Sequence, residues 1–170
     1  MPRAYLAVGS NLDPEDHVRR ALRLLRERLR ITAISSFFRT PPLGRPEQPD
    51  FLNGVVEVET DLPPRELRAV LREIEAGLGR VRTADKFAAR TIDLDLIVYA
   101  KVKEKDPRLP DPEIAERDFL AVPLAELAPE LRLPGRGETL AELAAALPRE
   151  GLTALPAYTR ELREELTHGS

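Results

Sequence analysis

The run Arg90-Thr91-Ile92-Asp93-Leu94-Asp95-Leu96-Ile97-Val98-Tyr99 constrains this chain most, because it reads as a β-strand carrying two acids where Asp is normally depleted. Period-2 alternation puts Ile92, Leu94, Leu96 and Val98 on one face and Thr91, Asp93 and Asp95 on the other. At a rise of about 3.3 Å per residue the two acidic Cα atoms stand about 6.6 Å apart, a spacing that lets one divalent cation, or a pair, sit between the carboxylates. Without a cation the two charges repel. The plain alternative is an exposed strand face with two solvated acids, and the flanking residues weigh against it.

Immediately upstream, the segment from Gly79 to Arg90 links a predicted helix to the acidic strand and gathers Arg80, Arg82, Lys86 and Arg90 in a short loop. Guanidinium groups suit multidentate phosphate contacts, and Mg²⁺ usually binds through one or two carboxylates together with substrate phosphate oxygens. Acids beside arginines therefore point to a nucleoside triphosphate. The competing reading pairs the arginines directly with Asp93 and Asp95, as surface ion pairs that contribute little stability. No Gly-x-x-x-x-Gly-Lys-Ser/Thr or Gly-x-Gly-x-x-Gly occurs in the chain, so triphosphate binding has to come from arginines and metal.

The remaining segments build a fold around that strand. Tyr5 to Val8 is a short apolar strand, with Gly9-Ser10-Asn11 read as a turn. Asp13 as N-cap and Pro14 at the first helical position open a helix in which Val18, Ala21, Leu22, Leu25 and Leu29 keep helical spacing. A second strand covers Thr32 to Arg39. Thr40 to Asp50 then makes a connection stiffened by four prolines, longer than a usual hairpin loop, and so either a functional loop or a rigid spacer. In the third strand, Phe51 to Thr60, alternation puts Phe51 and Asn53 on one face. An aromatic beside an amide suits a flat heterocycle, although core packing accounts for many a single Phe. A second helix runs from Pro63-Pro64 through Leu67, Val70, Leu71, Ile74 and Leu78 to a stop at Gly79.

This β-α-β-β-α-β order predicts an α+β fold, a ferredoxin-like antiparallel sheet with helices packed on one face. Beyond Tyr99 the pattern weakens. Lys101 to Arg108 reads as a charged loop, Pro123 to Ala128 as a short helix, and Thr139-Leu140-Ala141-Glu142 as a capping box opening a helix to Leu147. Tyr158 to His168 reads as an amphipathic terminal helix.

With 170 residues, 42% hydrophobic and 32% charged, the expectation is one domain over residues 1–170, with 132–170 as a C-terminal helical extension. No run approaches a membrane span and no signal pattern precedes Arg3-Ala4-Tyr5, so the expected location is the cytoplasm. Zero cysteines exclude a disulfide scaffold and a thiolate nucleophile, and with His17 and His168 as the only histidines a His-centred triad has no support. A net charge of -3 offers no footprint for nonspecific nucleic-acid binding.

Several motifs stand in a fixed order: Gly9-Ser10-Asn11-Leu12, then Arg39-Thr40-Pro41-Pro42-Leu43-Gly44 and Gln48-Pro49-Asp50-Phe51-Leu52-Asn53, then Ile74-Glu75 before Leu78-Gly79-Arg80-Val81-Arg82. Arg90-Thr91-Ile92-Asp93-Leu94-Asp95 and Arg117-Asp118-Phe119 complete the set. In this joint order, over about Tyr5 to Leu131, the chain resembles the 6-hydroxymethyl-7,8-dihydropterin pyrophosphokinases of folate biosynthesis. The resemblance implies transfer of the β,γ-pyrophosphoryl group of ATP to the pterin hydroxymethyl oxygen, giving AMP and the pterin diphosphate. It implies that Asp93 and Asp95 hold two Mg²⁺ ions, with Arg80 and Arg90 completing the catalytic set. Glu75, Arg82, Asp111 and Arg117 fall at nucleotide-binding positions, and Thr40, Pro41, Leu43, Phe51, Asn53 and Phe119 at pterin-binding ones. ATP and a hydroxymethyl-dihydropterin are the implied partners of a monomer that binds neither nucleic acid nor membrane.

The chain departs from the family pattern at Pro110-Asp111-Pro112, where the family usually has Pro-His-Pro, and at Phe87-Ala88-Ala89, where Trp-Gly-Pro is usual. Asp111 is expected to be a tolerated replacement, the alternative being that it orients Arg117. Two other functional classes compete. A ferredoxin-like regulatory module binding a small ligand has no need for paired strand acids beside an arginine loop. A two-metal nucleotidyl transferase or nuclease should carry a basic groove.

Overall fold

Alternating burial decides how the first strand is used. In β1 (Arg3–Ser10) the side chains of Ala4, Leu6 and Val8 are buried on one face, while Tyr5, Ala7 and Gly9 take the other. The strand outlasts its apolar run: Gly9 and Ser10, expected in a turn, pair with Asn53 and Leu52 as regular ladder positions. The computed structural model describes residues 1–42, 47–80, 91–100, 102–105, 108–149 and 151–167.

Helix α1 (Pro14–Arg28) starts where expected, but Asp13 adopts a left-handed backbone (φ 42) and its side chain makes no capping bond. Pro14 and the first-turn acids Glu15 and Asp16 favour the start instead. The expected single strand over Thr32 to Arg39 is two strands, β2 (Arg30–Ile34) and β3 (Phe38–Thr40). Both lie along the same edge of β4 (Phe51–Glu59). The break has a packing cause. Phe37 turns fully inward onto Gly54, where any Cβ would lie 2.7 Å from its ring atoms. Ser35 bridges the gap, its N–H donating to Val55 O and its Oγ accepting from Val55 N.

Helix α2 (Pro64–Gly77) buries Leu67, Val70, Leu71 and Ile74 and ends at Gly79, whose φ of 88 only glycine adopts freely. The acidic strand is β5 (Asp93–Tyr99), antiparallel to β1. Strand order is therefore β5-β1-β4, with β2 and β3 end to end along the outer edge of β4. This is the predicted ferredoxin-like antiparallel arrangement.

After β5 come β6 (Glu104–Lys105) and β7 (Arg108–Leu109), a small hairpin, then a 3-10 turn over Pro112–Ala115. Helix α3 (Asp118–Leu127) is longer than the predicted Pro123 to Ala128 segment and carries Pro123 inside it. Helix α4 (Leu140–Ala146) opens with the predicted capping box, Thr139 and Glu142 bonding reciprocally. The chain then adds β8 (Thr153–Ala154), paired with β3, and α5 (Pro156–Leu166).

Helices cover both faces of the sheet, not one. Leu6, Val8, Leu52, Val56 and Leu94 pack with the apolar stripes of α1, α2 and α5. On the opposite face Val55, Ile97 and Val98 form a second cluster with Ile114, Leu124, Leu140 and Leu143. Those strand residues would otherwise face water, and burying each large aliphatic side chain contributes about 1.5–3 kcal/mol. The second layer covers only part of its face; the uncovered part, toward Gly9 and Asp93, is the site. Among the described residues no helix is long and apolar enough to cross a membrane.

Candidate active site

Three neighbouring strands set three side-chain positions in one row. Gly9 of β1 stands opposite Asn53 of β4 on one side and Asp93 of β5 on the other; two residues along, Ala7 lies between Val55 and Asp95. With adjacent strands about 4.8 Å apart, the backbones at Asn53 and Asp93 are separated by about 10 Å. This row floors a cavity of about 250 Å³. Thr40, Pro41 and Phe51 wall it at the Asn53 end, Asp95, Asp111 and Glu113 line it with Asp93, and Arg117, Phe119 and Leu120 contribute from α3 and its start.

Gly9 is required by that floor. A Cβ there would lie 2.6 Å from Asn53 Oδ1, so only glycine lets the Asn53 amide lie across β1. The amide is fixed from its other end, Nδ2 donating to Thr40 Oγ1 at 2.7 Å. The next residues of the motif tie down the surroundings. Ser10 Oγ donates to Thr91 O at 2.6 Å, and buried Asn11 donates through Nδ2 to Gln48 Oε1 at 3.0 Å. Gly9-Ser10-Asn11 is thus a floor and two fasteners, not a turn.

The acids occupy the opposite end. Asp95 has its carboxyl pushed up to about 7, first by burial and then by the charge of Asp93, against the lowering effect of Arg72. Arg72 donates through Nη2 to Asp95 Oδ1 at 3.2 Å and through Nη1 to Glu75 Oε1 at 3.0 Å and Leu94 O at 2.8 Å. Glu75, only 2% exposed, also accepts from Leu94 N at 2.7 Å. Glu75 therefore joins α2 to β5 and holds Arg72. Its place beside the buried stripe of α2 turns it toward the strand instead of toward solvent.

A second cavity, of about 390 Å³, adjoins the first and shares Asp95, Asp111 and Glu113 with it. Arg68, Arg72 and Arg108 line it. None of the three was singled out in the sequence. The available signal was the spacing of Arg68, Arg72 and Glu75 at i, i+4 and i+7, a row flanking the apolar stripe of α2.

Asp111 lies where the two cavities meet, but its carboxylate accepts from Glu113 N at 2.9 Å and caps the 3-10 turn, while its own N–H donates to Ile97 O. Among the described residues no direct hydrogen bond or ion pair joins Asp111 to Arg117. A carboxylate at the N-cap of a helical turn finds its donors locally.

Of the expected site residues, the structure brings together Thr40, Pro41, Phe51, Asn53, Asp93, Asp95, Asp111, Arg117 and Phe119 around one cavity. Glu75 and Arg80 line neither cavity; Arg80 follows Gly79, with its N–H on Glu75 O. Leu43, Arg82 and Arg90 lie outside the described residues, as do Phe87, Ala88 and Ala89.

Among the described residues no group of three or more His, Cys, Asp and Glu forms a complete metal cage. Two carboxylates on one strand face still fit Mg²⁺, which takes few protein ligands and completes its shell with water and phosphate oxygens. The raised Asp95 carboxyl is the mark of a negative site that a cation would relieve.

Fold and cavity together define an α+β protein of ferredoxin-like topology, with an acidic strand at one end of a ligand cavity and an amide with aromatic groups at the other. The model of the 7,8-dihydro-6-hydroxymethylpterin-pyrophosphokinase family matches residues 5–129. A 2-amino-4-hydroxy-6-hydroxymethyldihydropteridine pyrophosphokinase from Pseudomonas aeruginosa is 42% identical over 160 residues, covering 91% of this chain and 97% of that one. The protein of that name from Bacillus subtilis is 38% identical over 133 residues, covering 75% and 79%. Among solved structures, wild-type Plasmodium falciparum HPPK-DHPS superposes with a TM-score of 0.66 at 14% identity, covering 98% of this chain and 46% of that one. The chain thus spans less than half of that longer protein, and at this identity the likeness shows the fold. The chain belongs to the 7,8-dihydro-6-hydroxymethylpterin-pyrophosphokinase family, and its activity is pyrophosphoryl transfer from ATP to hydroxymethyldihydropterin in folate biosynthesis. That membership sets aside the regulatory-module and nucleotidyl-transferase alternatives.

Proposed function

We propose that the cavity over β1 performs this transfer with the pterin ring at its Asn53 end and the reacting hydroxymethyl group toward Asp93 and Asp95. The observation that carries this reading is the Asn53-Gly9-Asp93 row. Its span of about 10 Å matches a bicyclic ring plus a one-carbon arm. Phe51 and Phe119 contribute ring faces, Thr40 and Asn53 contribute hydrogen-bonding groups, and Gly9 keeps the floor flat. Pro41, and Leu43 on sequence grounds, close the same wall.

The adjoining arginine-lined cavity is where ATP fits. Arg68, Arg72 and Arg108 offer guanidinium groups there, and Arg117 lines the first cavity, where the transferred phosphates would enter. Arg80, Arg82 and Arg90 keep the phosphate roles that the family pattern assigns them. Asp93 and Asp95 are the residues that would hold Mg²⁺, taken as two ions from the family pattern. When bound, the ions neutralise triphosphate charge and make the attacking hydroxyl more acidic. With that acidity supplied, the protein needs no dedicated base, and its own groups act by position: Asn53 and Thr40 fix the ring, the arginines take up charge as the leaving oxygen departs, and Arg72 keeps one oxygen of Asp95 in place. Glu75 acts behind the site by holding Arg72. Asp111 bounds both ligands as the cap of its turn. We take the enzyme to be a monomer working in the ATP-supplied cytoplasm.

Phosphorus NMR on the protein with ATP, Mg²⁺ and 6-hydroxymethyl-7,8-dihydropterin tests the assignment. AMP and a pterin diphosphate are expected; ADP or free pyrophosphate would refute it.

The raised Asp95 carboxyl gives a pH prediction with a definite sign. In the metal-free protein Asp95 takes up its proton near pH 7, above the ordinary carboxylate value, so its contribution to stability is present at low pH and lost as pH rises through about 7. The metal-free melting temperature should therefore fall as pH rises from about 4 to about 7 and level off above, relative to Asp95→Asn measured alongside. Mg²⁺ affinity should change in the opposite direction, weakening up to about tenfold per unit as protons compete below pH 7. Calorimetric titration of Mg²⁺ at the two pH values, with melting curves, checks both.

A further inference from the structure

The strand that carries Thr40 has an unusual support. β3 is only three residues long, and the break before it takes Phe37 out of the β4 ladder, although the residue is fully buried. Buried backbone groups need partners. Both groups of Phe37 find theirs in the C-terminal segment: Leu155 N donates to Phe37 O at 2.9 Å, and Phe37 N donates to Thr159 Oγ1 at 2.9 Å.

The same segment holds β3 at every level. Thr153 and Ala154 pair with Arg39 and Phe38 on the edge that β4 leaves open. Tyr158 meets the Phe37 ring edge-to-face at 6.2 Å, and its hydroxyl donates to Glu15 O at 2.7 Å. Gly151, with φ +87, passes under Pro41 so closely that a Cβ would lie 3.3 Å from the proline Cδ. Pro41 and Thr40 both line the cavity. A continuous run of contacts thus joins the C-terminal segment, which lies beyond the family match at residue 129, to the wall of the site.

We propose that residues 151–159 form a strap that sets the acceptor-substrate wall, with Thr159 and Gly151 as positioning residues for the pterin. The strap acts through β3, by fixing the strand from which Thr40 meets Asn53 and Pro41 meets the ligand. It does not touch the arginine-lined cavity. Its action is therefore selective: a loosened strap costs pterin binding and spares the nucleotide. This rests on the reading that the Asn53 end holds the pterin.

The test measures dissociation constants for hydroxymethyl-dihydropterin and, separately, for a non-hydrolysable ATP analogue with Mg²⁺, in the full chain carrying Thr159→Val, Thr159→Ser or Gly151→Ala. Thr159→Val removes the acceptor for Phe37 N, and pterin affinity should fall by about five- to tenfold while the ATP analogue stays within about twofold. Thr159→Ser keeps the oxygen and should restore tight binding. Gly151→Ala, which presses on Pro41 and strains a left-handed position, should give the same selective loss and stands in if Thr159→Val does not fold. Equal losses for both ligands, no loss for either, or failure of serine to rescue would overturn the proposal. Asn53→Ala in the same assay separates the two levels: if it weakens pterin and the strap variants do not, the strap is wrong and the site stands. If it too leaves pterin unaffected, the site reading falls and the strap with it.

Discussion

Asp93→Ala and Asp95→Ala should each reduce pyrophosphoryl transfer by on the order of 10³-fold or more at saturating Mg²⁺, since the charge that develops on the phosphates loses its counter-ion site. The fold should survive. Asp93 and Asp95 alternate with the buried Leu94 and Leu96, and neither acid belongs to an apolar cluster. The two variants should differ in one respect. Asp95 shares an ion pair with Arg72, which Glu75 also holds, so Asp95→Ala leaves Arg72 tethered with one acid fewer. Asp93→Ala removes the charge that, after burial, does most to raise the Asp95 carboxyl. Steady-state turnover with circular dichroism on each protein checks the result; near-normal turnover in either variant would mean that the paired acids are not the metal site.

The second large effect belongs to the other end of the row. Asn53→Ala should weaken pterin binding by about 1 to 3 kcal/mol, roughly 5- to 150-fold, because ring-edge groups lose their partner in a desolvated cavity. ATP-analogue affinity should change far less. Gly9→Ala should reproduce part of this loss without altering Asn53, since its Cβ would stand 2.6 Å from Asn53 Oδ1 and push the amide off Thr40. Calorimetry with each ligand is the measurement. Equal weakening of pterin and nucleotide in Asn53→Ala would indicate general disruption and remove Asn53 from the pterin wall.

What could be read in advance and what could not divides along physical lines. Strand faces were legible where alternation runs unbroken, so Asp93 with Asp95, and Phe51 with Asn53, fall on the expected sides, but Val98, expected beside Leu94 and Leu96, is turned to the opposite face by the register shift opposite Tyr5 and Leu6. The capping box at Thr139 was legible for the same reason. Gly9 was misread because a glycine followed by Ser and Asn has the composition of a turn, whereas its cause lies across the sheet in the Asn53 amide. The split at Ser35 to Phe37 was hidden because the hole that receives Phe37 is made by Gly54, 17 residues on, and by a segment still further away. Glu75 and Asp111 also accept from backbone groups, Leu94 N and Glu113 N, which no residue pattern displays. The second helical layer escaped notice because α3 contains Pro123, which broke its apparent period.

The pairing of β8 with β3 also bears on the order in which the molecule is completed. The bond from Phe37 to Thr159 joins residues 122 apart in sequence, among the longest loops the chain has to close. Contacts of such separation form late, after local helices and hairpins have reduced the entropy of closure. During synthesis the outer edge of β3 must wait until residues 153–159 have left the ribosome, long after β3 itself. The nascent chain therefore carries an open strand edge beside an unfinished cavity wall until that distant segment arrives to seal it.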